Sequence, residues 1–278
     1  MNEPVKLEGV PSGRPVAYLP PVFARYWTAE AFLLFAAVLV VLAGVPLALR
    51  LSPWWALGLS LGFVLFGFDP LLARAQDRAL EWHLAAGRFT QALKLAAAIR
   101  NSAHKPRARD LAEFDVGLVH LARGAPADAA RSFASIQVHR LTEPMRLLVK
   151  LYHAIAVLRA RASDDDLSEF ATAALAKARE AEGALGEDAQ LLACEGEALL
   201  ALGESASAFD RLARSLEMDP NPRDPTPGER HLSFARAALA TGQRETAVKA
   251  LRVASKLSGE PPFVRAARAE LDRLEHAS

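Results

Sequence analysis

The sequence predicts an all-α protein in which a transmembrane helical hairpin precedes an α-solenoid of paired helices. Apolar residues are concentrated between Ala31 and Ala73, and the hydrophobic share of 51% is high for a soluble protein. The remainder is rich in Ala, Leu, Arg and Glu at helical spacing, which is typical of soluble helices. Within that remainder, a glycine separates two helical patterns four times, at Gly87, Gly124, Gly203 and Gly242.

Residues 1–28 form the first segment, which we predict to be a flexible N-terminal arm. It shows no apolar period, and Pro interrupts it repeatedly, at Pro4, Pro11, Pro15, Pro20 and Pro21. Proline removes a backbone donor and fixes φ, so frequent prolines disfavour both helix and sheet.

Residues 29–73 carry two long apolar runs, and we predict that they form a transmembrane hairpin. The first run, Ala31–Leu49, approaches the length needed to cross a bilayer. Ser52 and Pro53 are a good N-cap and first residue for a second helix, which is uncharged until Asp69. A buried hairpin in a soluble core is the alternative. A cleaved signal peptide is disfavoured because the run starts late and a second run follows at once.

The cations around these runs predict the orientation of the hairpin. They flank it at Arg14, Arg25, Arg74, Arg78 and Arg88, whereas only Arg50 lies in the turn. The positive-inside rule then places both termini in the cytoplasm. The expected localisation is therefore integral to a bacterial inner membrane, with two spans and the lipid bilayer as one partner.

From residue 74 to 278 the sequence repeats one helix-pair pattern, most completely in Ala193–Pro222. Small or apolar residues recur there at Leu192, Gly196, Leu199, Gly203, Ala208, Leu212 and Leu216, and Pro220 closes the unit. This unit resembles a tetratricopeptide (TPR) hairpin, in which a residue with little or no Cβ lets two helices cross closely. Similar units cover Ala79–Ile99, Phe114–Ile136 and Leu232–Lys256, with Ala92, Ala129 and Ala247 at the crossing points.

The stretch between Gly124 and Gly203 departs most from this pattern. It predicts one more pair, with helices over Met145–Ala160 and Leu167–Leu185 and an acidic turn, residues 163–166, in place of glycine. A final amphipathic helix over Pro261–Glu275 is expected to cap the array. A helical-hairpin solenoid with another curvature is the alternative to TPR geometry.

The sequence offers no motif for catalysis, metal binding or cofactor binding. Its seven histidines form neither HExxH nor a His pair four residues apart, and no phosphate-binding glycine loop is present. His83 and His120 occupy equivalent helix positions and are expected to be half-buried packing residues. The single Cys194 excludes an intramolecular disulfide and is expected to be a small buried hydrophobe. We therefore expect no enzyme, no cofactor and no metal.

Charge is distributed unevenly along the predicted solenoid. Residues 74–109 carry eight Lys or Arg and two acids, whereas residues 164–229 carry sixteen acids and five bases. The acidic excess indicates either solubility and pairing within the solenoid or a site for a basic partner. Nucleic acid is not expected, because the net charge is +1 and the basic stretch lacks interleaved aromatics.

The resemblance implies a scaffold that binds a protein or peptide in its concave groove, at the cytoplasmic face of a membrane. The groove-facing residues that we predict are Glu81, Leu118, Leu121, Glu197, Leu200 and Arg236. This set lacks the basic clamp by which some TPR proteins hold a C-terminal carboxylate. An accessory subunit of a membrane transport, secretion or envelope-assembly complex, in which the hairpin is the functional part, is the alternative. A membrane enzyme with a diverged site is a third possibility, and the oligomeric state is left open.

Overall fold

The computed structural model describes residues 79–80, 82–84, 86–162, 166–219, 227–256 and 262–276. Contacts divide the chain into two units with a boundary between Trp82 and His83, and the helical array lies in the unit that follows this boundary. The predicted arm (1–28) and the predicted hairpin (29–73) lie outside the described residues. Throughout the described ranges the regular structure is helical, which confirms the all-α expectation.

The described helices follow one another with short connections. They are α1 (Phe89–Ser102), α2 (Pro106–Ala122), α3 (Pro126–Ser135), α4 (Glu143–Ala160), α5 (Ser168–Leu185), α6 (Ala189–Ala201), α7 (Ser205–Met218), α8 (Pro227–Ala240), α9 (Arg244–Ser255) and α10 (Pro262–His276), with a 3₁₀ turn at Val138–Arg140 between α3 and α4. Residues 79–80 and 82–84 are also helical and precede α1. The boundaries of α4, α5 and α10 agree with the predicted ones within two residues.

Each helix packs mainly against its neighbours in the chain, as in an α-solenoid. Contacts between second neighbours run along the even-numbered helices, joining α4 to α6, α6 to α8 and α8 to α10. Helices on the inside of a curved array lie closer together than those on the outside. These contacts therefore identify α4, α6, α8 and α10 as the inner, concave layer. We assign α2 to the same layer because it is the first helix of its pair, as α6 and α8 are of theirs, and the odd-numbered helices form the outer layer.

Four turns between paired helices are closed by glycine, as the sequence predicts. Gly87, Gly124, Gly203 and Gly242 have φ between 66° and 78°, a region that strains any residue with a Cβ. At Gly203 the following amide, Glu204 N–H, donates to the carbonyl of Leu199 at 3.0 Å, which is the C-capping pattern of a Schellman turn. A fifth glycine, Gly186, joins α5 to α6 with φ 87°, a turn that the repeat pattern did not predict.

The crossing points within the hairpins are filled by alanine. Ala92, Ala129, Ala208 and Ala247 are fully buried, each near the start of the second helix of its pair. On the first helix of the pair, a Cβ added to Gly196 would lie 2.5 Å from Leu212 Cγ, so only glycine fits there. These contacts confirm the predicted close approach of the two helices.

The interior divides into two cores that meet at α4. The N-terminal core consists of Phe114, Leu121, Ala129, Phe133, Ile136, Leu141, Val149 and Ala156. The C-terminal core extends from Leu147 on α4 to Ala267 on α10 and is rich in alanine. Opposite faces of α4 therefore contribute to different cores.

The prediction of an integral membrane protein with two spans and cytoplasmic termini needs correction. Among the residues that the structure describes, no helix is both long and apolar enough to cross a bilayer. The apolar excess of the sequence, on which that prediction depended, lies in residues 29–73, outside the described ranges. In the described helices, small side chains are buried at the crossing points and charged residues cover the other faces.

Candidate functional site

The structure places the predicted groove residues in different environments. Leu118 and Leu200 are half-buried, and Leu121 belongs to the N-terminal core with 7% of its surface exposed. Glu197 on α6 and Arg236 on α8 carry charges on the inner layer, whereas Glu81 lies outside the described residues. The part these six residues play in partner binding stays a prediction.

Glu197 is held by Arg159, an arginine at the end of α4 that no sequence motif marks. Arg159 donates from Nε to Glu197 Oε1 at 2.6 Å and from Nη2 to Oε2 at 2.7 Å. Such a two-pronged pair fits the planar guanidinium to the planar carboxylate and is among the stronger hydrogen-bonded pairs in proteins.

The same guanidinium also reaches a third helix. Arg159 Nη1 donates to Glu229 Oε1 at 2.6 Å, and Glu229 lies in the first turn of α8. The three side chains keep between 20% and 23% of their surface exposed. One arginine thus bridges α4, α6 and α8, three successive helices of the inner layer, and we call these three residues the arginine clamp.

The electrostatics of the clamp follow from partial burial of one cation between two anions. Burial by itself would lower the pKa of Arg159, but the carboxylates of Glu197 and Glu229 outweigh it and hold that pKa well above its usual value. Beneath the clamp, burial raises the pKa of the Cys194 thiol to about 12. Cys194 is therefore a neutral, buried packing residue, as expected from the sequence.

A second ion pair continues the charged surface toward the end of the array. Arg236 donates from Nε and Nη2 to Glu270 Oε1 on α10, at 2.8 and 2.6 Å. Arg236 stands six residues before its turn glycine, as Glu197 does, so the two belong to the same face of their hairpins. We call the clamp together with Arg236 and Glu270 the inner strip; it carries two cations and three carboxylates.

Eight of the sixteen acidic residues in 164–229 are ion-paired in the part of the chain that the structure describes. Besides Glu197 and Glu229, the paired carboxylates are Glu180 with Lys177, Glu182 with Arg211, Glu187 and Glu217 with Arg214, Glu195 with Arg179 and Arg211, and Asp219 with Arg230. The side chain of Glu195 is only 2% exposed, so its two arginines compensate a buried charge between α5, α6 and α7. Asp166 is exposed and accepts from Ser168 N–H at 2.9 Å, while residues 163–165 lie outside the described ranges.

The arginines that complete these pairs could not be recognised from local sequence patterns. Arg159 precedes the stretch counted as acidic, and its partners lie on two later hairpins. One signal was present, however: Arg159 precedes its turn by about as many residues as Glu197 precedes Gly203. An arginine and a glutamate at matching positions of neighbouring repeats are a pattern that predicts pairing across the inner layer.

Three of the described histidines, His83, His120 and His231, have lowered pKa values because they are largely buried. His120 is half-buried, as expected, whereas His83 is more deeply buried than expected, and burial is the main reason why the pKa of each is lowered. His231 on α8 is 4% exposed, and burial, reinforced by Arg230, lowers its pKa to about 4. Within the described ranges, no three His, Cys, Asp or Glu side chains come together as a metal site.

Comparisons with known proteins give limited likenesses. No protein-family model matches the chain, and no curated protein matches it. A solved structure of MamA from MSR-1 is 17% identical, with a TM-score of 0.36 over 73% of this chain and 97% of that one. A structure of MamA from AMB-1 is 18% identical, with a TM-score of 0.37 over 66% of this chain and 96% of that one. The assignment of the fold rests on the helix contacts of the chain itself.

Proposed function

We propose that this protein is a non-enzymatic scaffold of TPR type that holds a segment of a partner protein in its concave groove. The observation that carries the proposal is the inner strip. Its charges lie on four successive even-numbered helices and remain partly exposed, although each is already bonded to a neighbouring helix. A polar groove surface that continues over several repeats suits an extended or helical ligand.

The balance of the strip favours a partner segment that carries basic groups. Three carboxylates outweigh two cations, and a bound cation could bond to carboxylate lone pairs that Arg159 and Arg236 leave open. Half-buried leucines, Leu118 and Leu200, offer apolar contacts on the same layer. Because the carboxylates are already paired, we expect charge to tune the association rate and specificity more than the total affinity.

A charge reversal in the strip tests this proposal against a matched change on the outer layer. Arg236 and Arg214 are both about half exposed, and each bonds to a carboxylate of another helix or connection. The full chain and its Arg236→Glu and Arg214→Glu variants are used to capture proteins from an extract of the source cell. We expect Arg236→Glu to change the captured set or its salt dependence between roughly 50 and 300 mM, within which screening of exposed charges strengthens.

The Arg214→Glu control distinguishes binding in the groove from binding on the outer layer. If Arg214→Glu changes the captured set and Arg236→Glu does not, partners bind on the outer layer and the groove proposal is wrong. Loss of capture by both variants together with a lowered unfolding midpoint would indicate damage to the fold. Glu197→Gln is a weaker probe because it also removes one carboxylate charge from the clamp, so its unfolding midpoint is measured alongside.

The alternative of an accessory subunit with a functional hairpin rests on residues outside the described ranges. No contact in the described helices favours it over a scaffold. The groove proposal is therefore preferred.

A further inference from the structure

The turn between α2 and α3 meets the start of α10, the last described helix, at a contact between Gly124 and Pro262. A Cβ added to Gly124 would lie 2.6 Å from Cγ and 3.0 Å from Cβ of Pro262. Real Cβ atoms do not approach other carbons so closely, so the Gly124 backbone already touches the proline ring. These residues are far apart in sequence, and none of the hairpins described above contains both.

The position of each partner is fixed by a different core. Gly124 closes the turn between α2 and α3, whose side chains fill the N-terminal core. Pro262 is the first residue of α10, and the next two residues, Phe263 and Val264, are buried in the C-terminal core. Two ion pairs, Arg236 with Glu270 and Arg252 with Glu275, hold α10 further against α8 and α9.

We infer that this contact is a reversible closure that joins the α2–α3 turn to α10, the last described helix of the inner layer. With it, the two cores are linked twice, once through α4 and once through Gly124 and Pro262. The helices α4, α6, α8 and α10 contact one another in turn, and α2 is connected to α4 through α3, so the described array from α2 to α10 then forms a closed circuit instead of an open trough.

The closure is small, and this is why it can open. Gly124 stays exposed and Pro262 is half-buried, so little apolar surface is removed from water there. The contact at α4, in comparison, buries several large side chains on both of its faces. A partner segment along α4, α6 and α8 would lie inside the circuit, so that its binding would depend on opening. That consequence rests on the proposed function, whereas the closure itself does not.

Glycine variants separate the closure from backbone strain. Gly124 and Gly203 have nearly the same φ, 76° and 78°, but a Cβ at Gly203 meets no atom within 4 Å. Gly124→Ala and Gly203→Ala therefore share the left-handed strain, and only the first pushes Pro262 away. Pro262→Ala removes the ring contact without touching Gly124, and Pro106→Ala at the start of α2 is its matched control.

The experiment measures the distance between two spin labels on the full chain, without any ligand, by pulsed electron–electron double resonance. Labels are attached at the exposed positions Ala127→Cys on α3 and Ala269→Cys on α10. Cys194 is buried with a thiol pKa of about 12 and should not react. We expect a main short-distance population that Gly203→Ala and Pro106→Ala retain and that Gly124→Ala and Pro262→Ala reduce in favour of longer distances.

Two results would overturn the closure. One is the absence of the short-distance population in the parent chain. The other is that Gly124→Ala and Pro262→Ala show the same distance distribution as their controls, Gly203→Ala and Pro106→Ala. If Gly124→Ala fails to fold, the comparison of Pro262→Ala with Pro106→Ala is sufficient to test whether the closure exists. Because no partner is present, a failure here leaves the groove proposal standing, and a failure of the capture experiment leaves the closure standing.

Discussion

The N-terminal and C-terminal cores bring their helices together by different means. In the N-terminal core, Phe114, Phe133 and Tyr152 from three helices meet edge to face or tilted, with ring centroids 5.5 to 6.1 Å apart. Gly117 makes room for them, since a Cβ there would lie 2.4 Å from the Phe133 ring. Three aromatic rings from three helices thus pack against one another in this core.

In the C-terminal core, many small side chains serve the same purpose. Buried alanines line α5, α8 and α9, and they let the helix backbones approach closely; they include Ala171, Ala174, Ala178, Ala235, Ala238, Ala247 and Ala250. Its larger groups are mostly leucines distributed over several helices, such as Leu212, and its rings form one stacked pair, Phe209 and Phe234, with centroids 5.0 Å apart. The difference shows that one hairpin geometry can be stabilised by concentrated or by distributed contacts. The two cores should therefore respond differently to single substitutions.

Truncation of a large side chain should give the largest difference between the cores. We expect Phe133→Ala to destabilise the fold by about 3–5 kcal/mol, because the other rings of the cluster lose a shared neighbour. Leu251→Ala, the matched truncation at the counterpart position on α9, should cost less, toward the lower end of about 2–5 kcal/mol, since alanines on several helices share the contacts. Urea unfolding of both variants measures this. Equal losses would mean that the contacts of the N-terminal core are no more concentrated than those of the other core.

Acid should weaken the C-terminal core through His231. Its pKa of about 4 in the folded state is below the value near 6.5 expected for an unfolded chain, so the unfolded chain binds the proton more readily. Stability from this residue is complete above pH 6.5 and falls between pH 6.5 and 4, by roughly 3 kcal/mol in all. Urea unfolding across that range should show a flatter pH profile for His231→Gln. An unchanged profile would mean that His231 is protonated in the fold or not buried.

Replacing a helical glycine by alanine should cost a different amount of stability depending on which side chain faces that glycine. Gly117→Ala meets an aromatic ring and Gly196→Ala meets a leucine, at 2.4 and 2.5 Å respectively. We expect a loss of about 1–3 kcal/mol for each. The loss should be smaller at Gly196, because a leucine can change rotamer more easily than a ring enclosed by two others. The midpoints of thermal unfolding show which variant loses more stability. If the Phe133 ring is what the new Cβ meets, the Gly117→Ala/Phe133→Leu double variant should recover part of the stability lost in Gly117→Ala.

Ala208→Leu, at a crossing point of the C-terminal core, is also an overpacking substitution. The side chain is fully buried between α6 and α7, so a larger residue has no space without moving a helix. The expected cost is again about 1–3 kcal/mol. Ala206→Leu, at an exposed position in the same turn of α7, is the control and should leave the midpoint of thermal unfolding almost unchanged.

A helix cap gives the smallest expected effect. Asp188 accepts from Gln190 N–H at 2.8 Å and from Leu191 N–H at 3.3 Å, at the start of α6 in the C-terminal core. Asp188→Ala should therefore cost about 1 kcal/mol. Thr142 precedes α4 without a side-chain capping bond, and Thr142→Ala should change stability much less. If both variants lose the same stability, the Asp188 contacts contribute nothing beyond helix propensity.

Local features of the fold were predictable because they follow from single residues. A left-handed turn needs glycine, and a close crossing needs alanine or glycine, so Gly203 and Ala208 identify their hairpin without knowledge of its neighbours. The helices around the acidic turn, α4 and α5, followed from apolar spacing. Gly186 was missed because it joins two hairpins, a position that the repeat pattern does not mark.

Contacts between hairpins were less predictable, and the candidate site is built from them. Leu121 was predicted to face the groove together with Leu118, and the structure places Leu121 in the N-terminal core with 7% of its surface exposed. Arg159 was missed because its partners lie in other repeats. The aromatic cluster likewise combines Tyr152 with rings from an earlier hairpin.

The arginine clamp has a consequence for how the array unfolds. In a solenoid, each repeat is ordinarily coupled to its immediate neighbours alone, so that its ends can melt before its middle. Arg159 adds a direct link from α4 to α8, passing beyond α6, through a single guanidinium. Opening the hairpin of α4 therefore removes the cation that both Glu197 and Glu229 contact, and opening the hairpin of α6 or α8 removes one of the two carboxylates that hold Arg159. Fraying from the C-terminal end should accordingly stop at α8, and α4 to α8 should unfold as one cooperative block.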